Sequence, residues 1–332
     1  MMLKLIKPDQ NVVYDISDAV ESVTWSGSIL SAGRSVEFAV LNDPYDSGLK
    51  IPAVSVGDYI SFLVGSEELF YGQIFSIERS TAIGTITYTA YDMMKNLLES
   101  NGRYNFKNTT PEAIAAQVLA DIQVPYNHLE PTGINIKSMI CDSKAFYDII
   151  MGAYTQAYRI TGNRYLPMIW QRAFGVWPAV YTVGNFVLSD ELNVTAASIS
   201  EAMDGIKNTV KIYDDKGNQV GEVKDDSSLQ KFGTFQDIYT VEKGVNPTTA
   251  AKNMLKVNPT QNISLSAIGD RNCLSGYSVA VKDAATGLSG KYWIKTDKHT
   301  WQGGTYQMEL EMSFEQLMDE KDIETEEDGD KK

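Results

Sequence analysis

From Gly290 to Phe314 the chain reads GKYWIKTDKHTWQGGTYQMELEMSF, apolar and polar residues alternating on either side of one Gly-Gly pair. Successive side chains of a strand point to opposite faces, and Gly-Gly suits a two-residue hairpin loop whose central residues need positive φ. That loop sets Trp301 opposite Tyr306, His299 opposite Met308, Asp297 opposite Leu310, and Trp293 opposite Phe314 on one face. Thr300 and Gln307, Lys298 and Glu309, and Thr296 and Glu311 share the other. One face is then apolar, and the other is polar with a favourable charge pair; a three-residue loop would mix them. A chain built around such a hairpin has to bury one side of a sheet.

The buried side of that hairpin carries Asp297 and His299, the latter one of two histidines in 332 residues. Strand rise places the two about 7 Å apart at Cα. A carboxylate beside an imidazole invites an enzymatic reading. The neighbours, however, are Trp, Tyr, Met and Leu, which predict a packed histidine satisfied by a carboxylate or a backbone group. A metal centre would need further ligands, and His128 is the one other imidazole. The sequence holds no G-x-S-x-G, HExxH, P-loop or G-x-G-x-x-G motif. No catalytic, cofactor-binding or metal residue is therefore assigned, no cofactor is expected, and the chain is read as not an enzyme.

The same alternation recurs at residues 35–41, 58–64, 68–77 and 84–91, with turn-forming clusters such as NDPYDSG between. Short strands at this spacing predict a small barrel. Gly57 is expected to take a special backbone angle there, with Asp58 tying the turn. Asp92 stands as a cap before MMKNLLES, and Thr110-Pro111-Glu112 opens a second helix. A third is predicted over residues 143–159, with Phe146, Ile149, Ile150, Ala153 and Ala157 on one stripe and Gly162 beyond its end. Residues 165–200 read as short strands, 208–223 as a hairpin, and 247–257 as a helix capped by Asn246. The Gly57–Gly72 stretch resembles Gly276–Gly290: each has a glycine leading into a strand and a second glycine 14 or 15 positions on, which predicts two barrels of one kind.

A chain of this length predicts more than one domain. Net charge is −14, and the last fourteen residues carry eight acids and three bases, a composition that predicts a solvated, disordered extension. The acidic remainder argues against a protein that holds nucleic acid, which needs clustered Lys and Arg. The two cysteines form no CxxC pair and read as buried free thiols. No apolar h-region opens the chain, and no run approaches the ~18 apolar residues of a membrane span.

Several stretches occur in a familiar order: VESVTWSGSILSAGRSVEFAV (20–40), VGDYISF (56–62), TAYDMMKNLLESNGRYNF (89–106), FYDIIMGAY (146–154), TGNRY (161–165) and MDGIKNTVKIYDDKGNQVGEV (203–223). KFGTFQ (231–236), GDRNCLSGYSVAVKD (269–283) and the closing hairpin follow. Over residues 3–317 this ordered set resembles the XkdQ/YqbQ-type tail hub proteins of phages and defective prophages, relatives in fold of late control protein D and the central baseplate hub. LPMIWQRAFGVWPAVYTVG (166–184) departs from the pattern, and no hydrolase domain is expected after the hub segment. The positions that carry the resemblance are Trp25, Gly27, Gly57, Asp58, Tyr91, Asp92, Tyr147, Asp148, Asp297, His299, Trp301 and Gly303.

The resemblance implies an α+β, β-rich fold with two small tudor-like (SH3-like) β-barrels and interposed α/β segments. Its expected boundaries are a first barrel over 1–99, an α/β domain over 100–190, a discontinuous second barrel from 191–223 and 270–317, a mixed insertion over 224–269, and a disordered acidic tail over 318–332. It implies a homotrimeric baseplate hub joining a six-fold tail tube to a three-fold central spike in a contractile phage, prophage or bacteriocin particle. The expected partners are other copies of the chain, the tube, the spike and baseplate wedge components, with no stable nucleic-acid binding. The expected location is the particle tail, after assembly in the bacterial cytoplasm. The competing readings are a tail-tip cell-wall hydrolase and a carbohydrate-binding tail component, for which Trp170 and Trp177 are the candidate platforms.

Overall fold

The computed structural model describes residues 1–42, 51–80, 84–241 and 246–323. The predicted NDPYDSG turn falls almost wholly outside them, as does the acidic run after Ile323. The described part is α+β and β-rich, and it divides into two compact units, residues 1–197 with 264–332, and residues 198–263.

The first unit opens with β1 (Met2–Lys7), β2 (Val12–Asp15), β3 (Val20–Ser28), β4 (Ser31–Leu41), β5 (Tyr59–Val64), β6 (Glu67–Arg79) and β7 (Thr85–Tyr91). They pair in the order β3-β4-β7-β6-β5-β1-β2. Their alternating apolar residues close over one core, which includes Leu3, Leu5, Phe38, Ile60, Phe62 and Ile74. Next come α1 (Met94–Glu99), β8 (Asn101–Thr109), α2 (Pro111–Asp121), β9 (Tyr126–Leu129), β10 (Ile136–Ala145), α3 (Phe146–Thr161), β11 (Tyr165–Trp170) and β12 (Ala173–Pro178). The pair β8–β10, the small sheet β11-β12-β9 and the three helices share a second core around Tyr147, Tyr154 and Phe174. Helix α3 begins three residues later than predicted, because Lys144 and Ala145 still pair with β8 beyond a bulge. It ends at Gly162 in the left-handed conformation, as a C-terminal glycine allows.

The chain continues through β13 (Thr182–Ser189) and β14 (Val194–Ala202) into the second unit. There β15 (Thr209–Tyr213) and β16 (Gln219–Lys224) form the predicted hairpin, turned by Asp214, whose carboxylate accepts from the amides of Lys216 and Asn218. The unit adds α4 (Asp226–Phe232), β17 (Gln236–Thr240) and α5 (Pro247–Asn253), the last capped by the Asn246 side chain. This corrects the expected partition. The hairpin does not serve a second barrel: β15 also pairs in parallel with β17, in a separate sheet with its own core of Val210, Ile212, Val223 and Ala251. The inserted unit is accordingly 198–263 rather than 224–269.

The strands that do extend the main sheet are β13, β14, β18 (Thr260–Ile268), β19 (Ser278–Asp283), β20 (Leu288–Gln302) and β21 (Thr305–Ser313). The strands of the first expected barrel and β14, β19, β20 and β21 of the second belong to one hydrogen-bonded sheet, because β20 pairs antiparallel with β3, whereas β15 and β16 do not. Within β20–β21 the register is as predicted from Gln302–Thr305 back to Thr296–Glu311. Gly303 and Gly304 both have positive φ (56° and 78°), the geometry of a two-residue hairpin loop. A bulge at Lys295 then shifts the register, so Trp293 faces Ser313 rather than Phe314. Parity flips with it: Tyr292 and Ile294 are buried and Trp293 only partly so.

The glycine repeat is present in the backbone. Gly57 (φ 95°) donates to the Ile74 carbonyl while Ile74 donates to the Asp58 carbonyl. Gly276 (φ 89°) donates to the Ile294 carbonyl while Ile294 donates to the Tyr277 carbonyl. Each glycine thus starts an antiparallel hairpin, β5–β6 or β19–β20, by the same hydrogen-bond exchange.

The expected disordered tail is a further correction. Residues 318–323 pack on α3. Met318 is buried, Ile323 sits over Gly152 where a Cβ would collide with it, and the Tyr147 hydroxyl donates to Asp319 at 2.8 Å. Composition marks this stretch as solvated, but two apolar side chains and a set of matched charges are enough to hold it.

Candidate functional site

Pairing of β3 with β20 brings Trp25 opposite His299 and Gly27 opposite Asp297, so residues 270 or more positions apart in sequence share one face. Asp297 and His299 are both buried. The imidazole Nε2 donates to the Cys273 carbonyl at 3.1 Å and lies 3.4 Å from Asp297 Oδ2. The carbonyl can only accept, which places a proton on Nε2, and the Tyr306 hydroxyl lies 3.0 Å from Nδ1. Trp25 and Trp301 flank the imidazole with centroids 5.4 and 6.3 Å away, and Trp301 stacks on Tyr306 at 4.3 Å. Both ring nitrogens are therefore occupied by framework groups.

The third member is Arg34. Its guanidinium makes a two-pronged bond to Asp297, Nη1 to Oδ1 at 3.0 Å and Nη2 to Oδ2, and lies 4.0 Å from the centre of the Trp25 ring. Ser275 adds a backbone donor to Asp297 Oδ1 at 2.6 Å. Burial works to raise the Asp297 carboxyl, but the Arg34 charge and the bonds from His299 and Arg34 outweigh it and hold the group well below the usual carboxylate range. Gly27 makes room for the arrangement, since a Cβ there would run into the guanidinium. The set is a buried, charge-matched clamp across the β3–β20 seam.

Arg34 was missed in the sequence, although the signal was there: Arg34, Val36, Phe38 and Val40 alternate onto one face and all are buried. Its backbone also ties in Asp92. The Arg34 amide donates to Asp92 Oδ2 (3.2 Å), the Asp92 amide returns to the Arg34 carbonyl (3.1 Å), and Met94 donates to Oδ1 (3.0 Å). Asp92 thus holds the start of α1 from one position before the cap residue Met93, and the helix opens at Met94, one residue later than expected. Burial pushes its carboxyl up to about 7 against those amide bonds.

The other positions stand apart from this clamp. Asp58 accepts from the Ser55 amide and pairs with Lys7 at 3.2 Å. Tyr91 packs edge-on against Phe75, with Lys95 over its ring. Tyr147 and Asp148 face residues 319–321, Asp148 at 3.7 Å from Lys321 Nζ. Gly303 forms the hairpin tip. Cys141 and Cys273 are buried and free, and burial pushes the Cys141 thiol up to about 11. Among the described residues no group of three or more His, Cys, Asp or Glu could hold a metal ion, and no helix is long and apolar enough to cross a membrane. His128 bonds to Glu130 and stacks on Trp177.

A β-rich chain with this topology has the fold of phage tail proteins. The chain matches the YQBQ-like family over residues 23–313 and belongs to it. It is similar to the Bacillus subtilis (strain 168) protein YqbQ, 29% identical over 304 residues that span 88% of this chain and 91% of that one. It is also similar to XkdQ of the phage-like element PBSX of the same strain, 27% identical over 90% of this chain and 94% of XkdQ. Among solved structures, the 43 kDa tail protein of prophage MuSo2 from Shewanella oneidensis superposes with a TM-score of 0.71 at 14% identity, covering 94% and 98% of the two chains.

Proposed function

We propose that this chain is a structural hub of a phage or phage-like contractile tail: a homotrimeric baseplate adaptor that joins a six-fold tail tube to a three-fold central spike and meets the surrounding wedge components. The observation that carries it is the duplicated glycine-led hairpin. One chain holds two copies of the same strand exchange, Gly57–Ile74 and Gly276–Ile294, in strand groups joined through β3 and β20. Three chains would therefore present six similar hairpins to the tube and three equivalent surfaces to the spike, which meets both symmetries with one polypeptide. The buried Arg34–Asp297–His299 clamp suits this role, since it fixes the two groups relative to each other and leaves no ring nitrogen for chemistry. The kinship with a phage-like element protein supports the same assignment.

Mass photometry of the purified protein, alone and with its tube and spike partners, tests the proposal. A trimer, alone or on adding a partner, is expected; a monomer persisting inside an assembled tail would sink it. A zymogram on bacterial cell walls should show no clearing.

A further inference from the structure

Helix α3 is packed from two opposite sides. Ile149, Ile150, Ala153 and Ala157 turn to the second core. On the other side Asp148, Gly152, Thr155 and Arg159 recur at helical spacing and form one stripe along the helix. The stripe of a helix that faces away from its core is ordinarily polar and solvated, and glycine in a helix interior is unfavourable relative to alanine. Here the two central positions, Gly152 and Thr155, are small and buried, while the ends carry opposite charges. That is the profile of a groove, acidic at one end and basic at the other.

Residues 318–323 lie in it, and each part of the groove has its match. Ile323 fills the space over Gly152. The Thr155 hydroxyl accepts from the Lys321 amide at 3.0 Å and donates to the Met151 carbonyl at 2.7 Å. Lys321 Nζ stands 3.7 Å from Asp148, and Arg159 reaches Asp322 at 2.7 Å and Glu320 at 3.4 Å. Tyr147, beside the stripe, donates to Asp319. Residues 316–323 belong to no helix or strand, so one helix face recognises this strap of six residues without any sheet pairing.

None of these contacts depends on which chain supplies the strap. Helix α3 is held from its other side, so lifting the strap uncovers a formed groove, and the Thr155 hydroxyl keeps its bond to Met151. The strap hangs from Leu317, which packs against Ile29, Leu166 and Ala179, and six residues reach about 20 Å at most. An identical strap from another copy makes identical contacts, the condition under which protomers exchange an element at low cost.

We propose that this side of α3 is an exchangeable docking site for the segment Met318–Ile323, filled by the chain's own strap in a lone molecule and by a second copy's strap when two chains trade. The groove selects an acidic segment with a lysine inside it and an apolar residue at each end, and every copy of the chain carries one. The site does not rest on the hub assignment, because two chains suffice.

Two full-length variants test it. In Gly152→Ala the new Cβ collides with Ile323 and frees the strap, while alanine suits the helix. In Ile323→Ala the groove is intact and the strap has lost its anchor. Mixed, the unaltered strap of the first fits the unaltered groove of the second, and the two alanines fit each other. In differential scanning fluorimetry of an equimolar mixture, the transition of Ile323→Ala should move up toward that of the parent. A fluorescein-labelled peptide of residues 317–323 gives a second readout that needs no assembly. It should bind the full-length Met318→Asp/Ile323→Asp variant saturably. Binding to the parent, whose own strap competes from within the chain, should be about tenfold or more weaker, as should binding to the same variant carrying Gly152→Ala. The proposal is overturned by a mixture that melts as the superposition of its two components, by no peptide binding at about 1 mM, or by peptide binding that Gly152→Ala leaves unchanged.

Discussion

At the scale of single residues, the most consequential group is the one that connects three parts of the chain: Arg34, held by Asp297 through its side chain and by Asp92 through its backbone. Asp297→Ala leaves a guanidinium buried against Trp25 without its carboxylate. The expected loss is about 3–5 kcal/mol in urea denaturation, whereas Arg34→Met with Asp297→Leu removes both charges together and should recover most of it. The two carboxyls respond to pH in opposite directions. Asp297 is held low, so its contribution is present above its unfolded value of 3.8 and is lost as pH falls below it. Asp92 is raised from 3.8 to about 7, so the folded state binds its proton more tightly and stability falls as pH rises through that window. Melting curves of Asp92→Asn and the parent protein should therefore diverge between about pH 4 and 7, the variant gaining relative stability as pH rises. A difference that is constant with pH would show that Asp92 does not titrate there.

Among secondary-structure elements, the closing hairpin was legible because its alternation, its Gly-Gly loop and its charge pair all specify one register, and the structure has that register as far as Thr296. Beyond it the bulge at Lys295 meets the turn between β3 and β4, the Lys295 carbonyl accepting from the Ile29 amide, which no pattern within the hairpin could reveal. Arg34 lay on a predictable face, yet its partner is 263 residues away and only the β3–β20 pairing makes the match. The stretch after Leu317 was hidden for a different reason. Its composition is that of a solvated tail, and it is held by complementarity to α3. Thr155 accepts from the Lys321 amide, Arg159 reaches Glu320 and Asp322, and Lys321 lies between Asp148 and Asp319. Most of those charges are exposed and individually worth little; Met318, Ile323 and the buried Tyr147–Asp319 bond carry the docking. A chain ended after Gln316 should melt several degrees below one ended after Ile323 in differential scanning fluorimetry, in line with losing about 1–2 kcal/mol or more from a buried contact of this size. Equal melting temperatures would mean that the strap adds nothing to α3.

For the whole molecule, the question is which part of the chain assembly depends on. The second unit has its own sheet and its own core, and neither copy of the glycine-led hairpin lies in it. Its ends are close together: Gln261 bonds to Glu201, and the Thr260 hydroxyl donates to the Asp204 carbonyl at 3.0 Å. A loop joining Ala202 to Thr260 therefore needs to span little more than a hairpin turn, and closing so short a loop is entropically cheap. Replacing residues 203–259 with a Gly-rich linker of about five residues should leave a folded protein with the clamp intact and the parent's melting behaviour within a few degrees. If six hairpins on three chains make the contact with the tube, the shortened protein should also form the same trimer as the parent in mass photometry. A shortened chain that folds yet stays monomeric where the parent is trimeric would move the subunit contacts to residues 198–263 and away from the duplicated hairpins. The clamp would then be a device for the stability of one chain rather than for holding two strand groups at the spacing a ring requires.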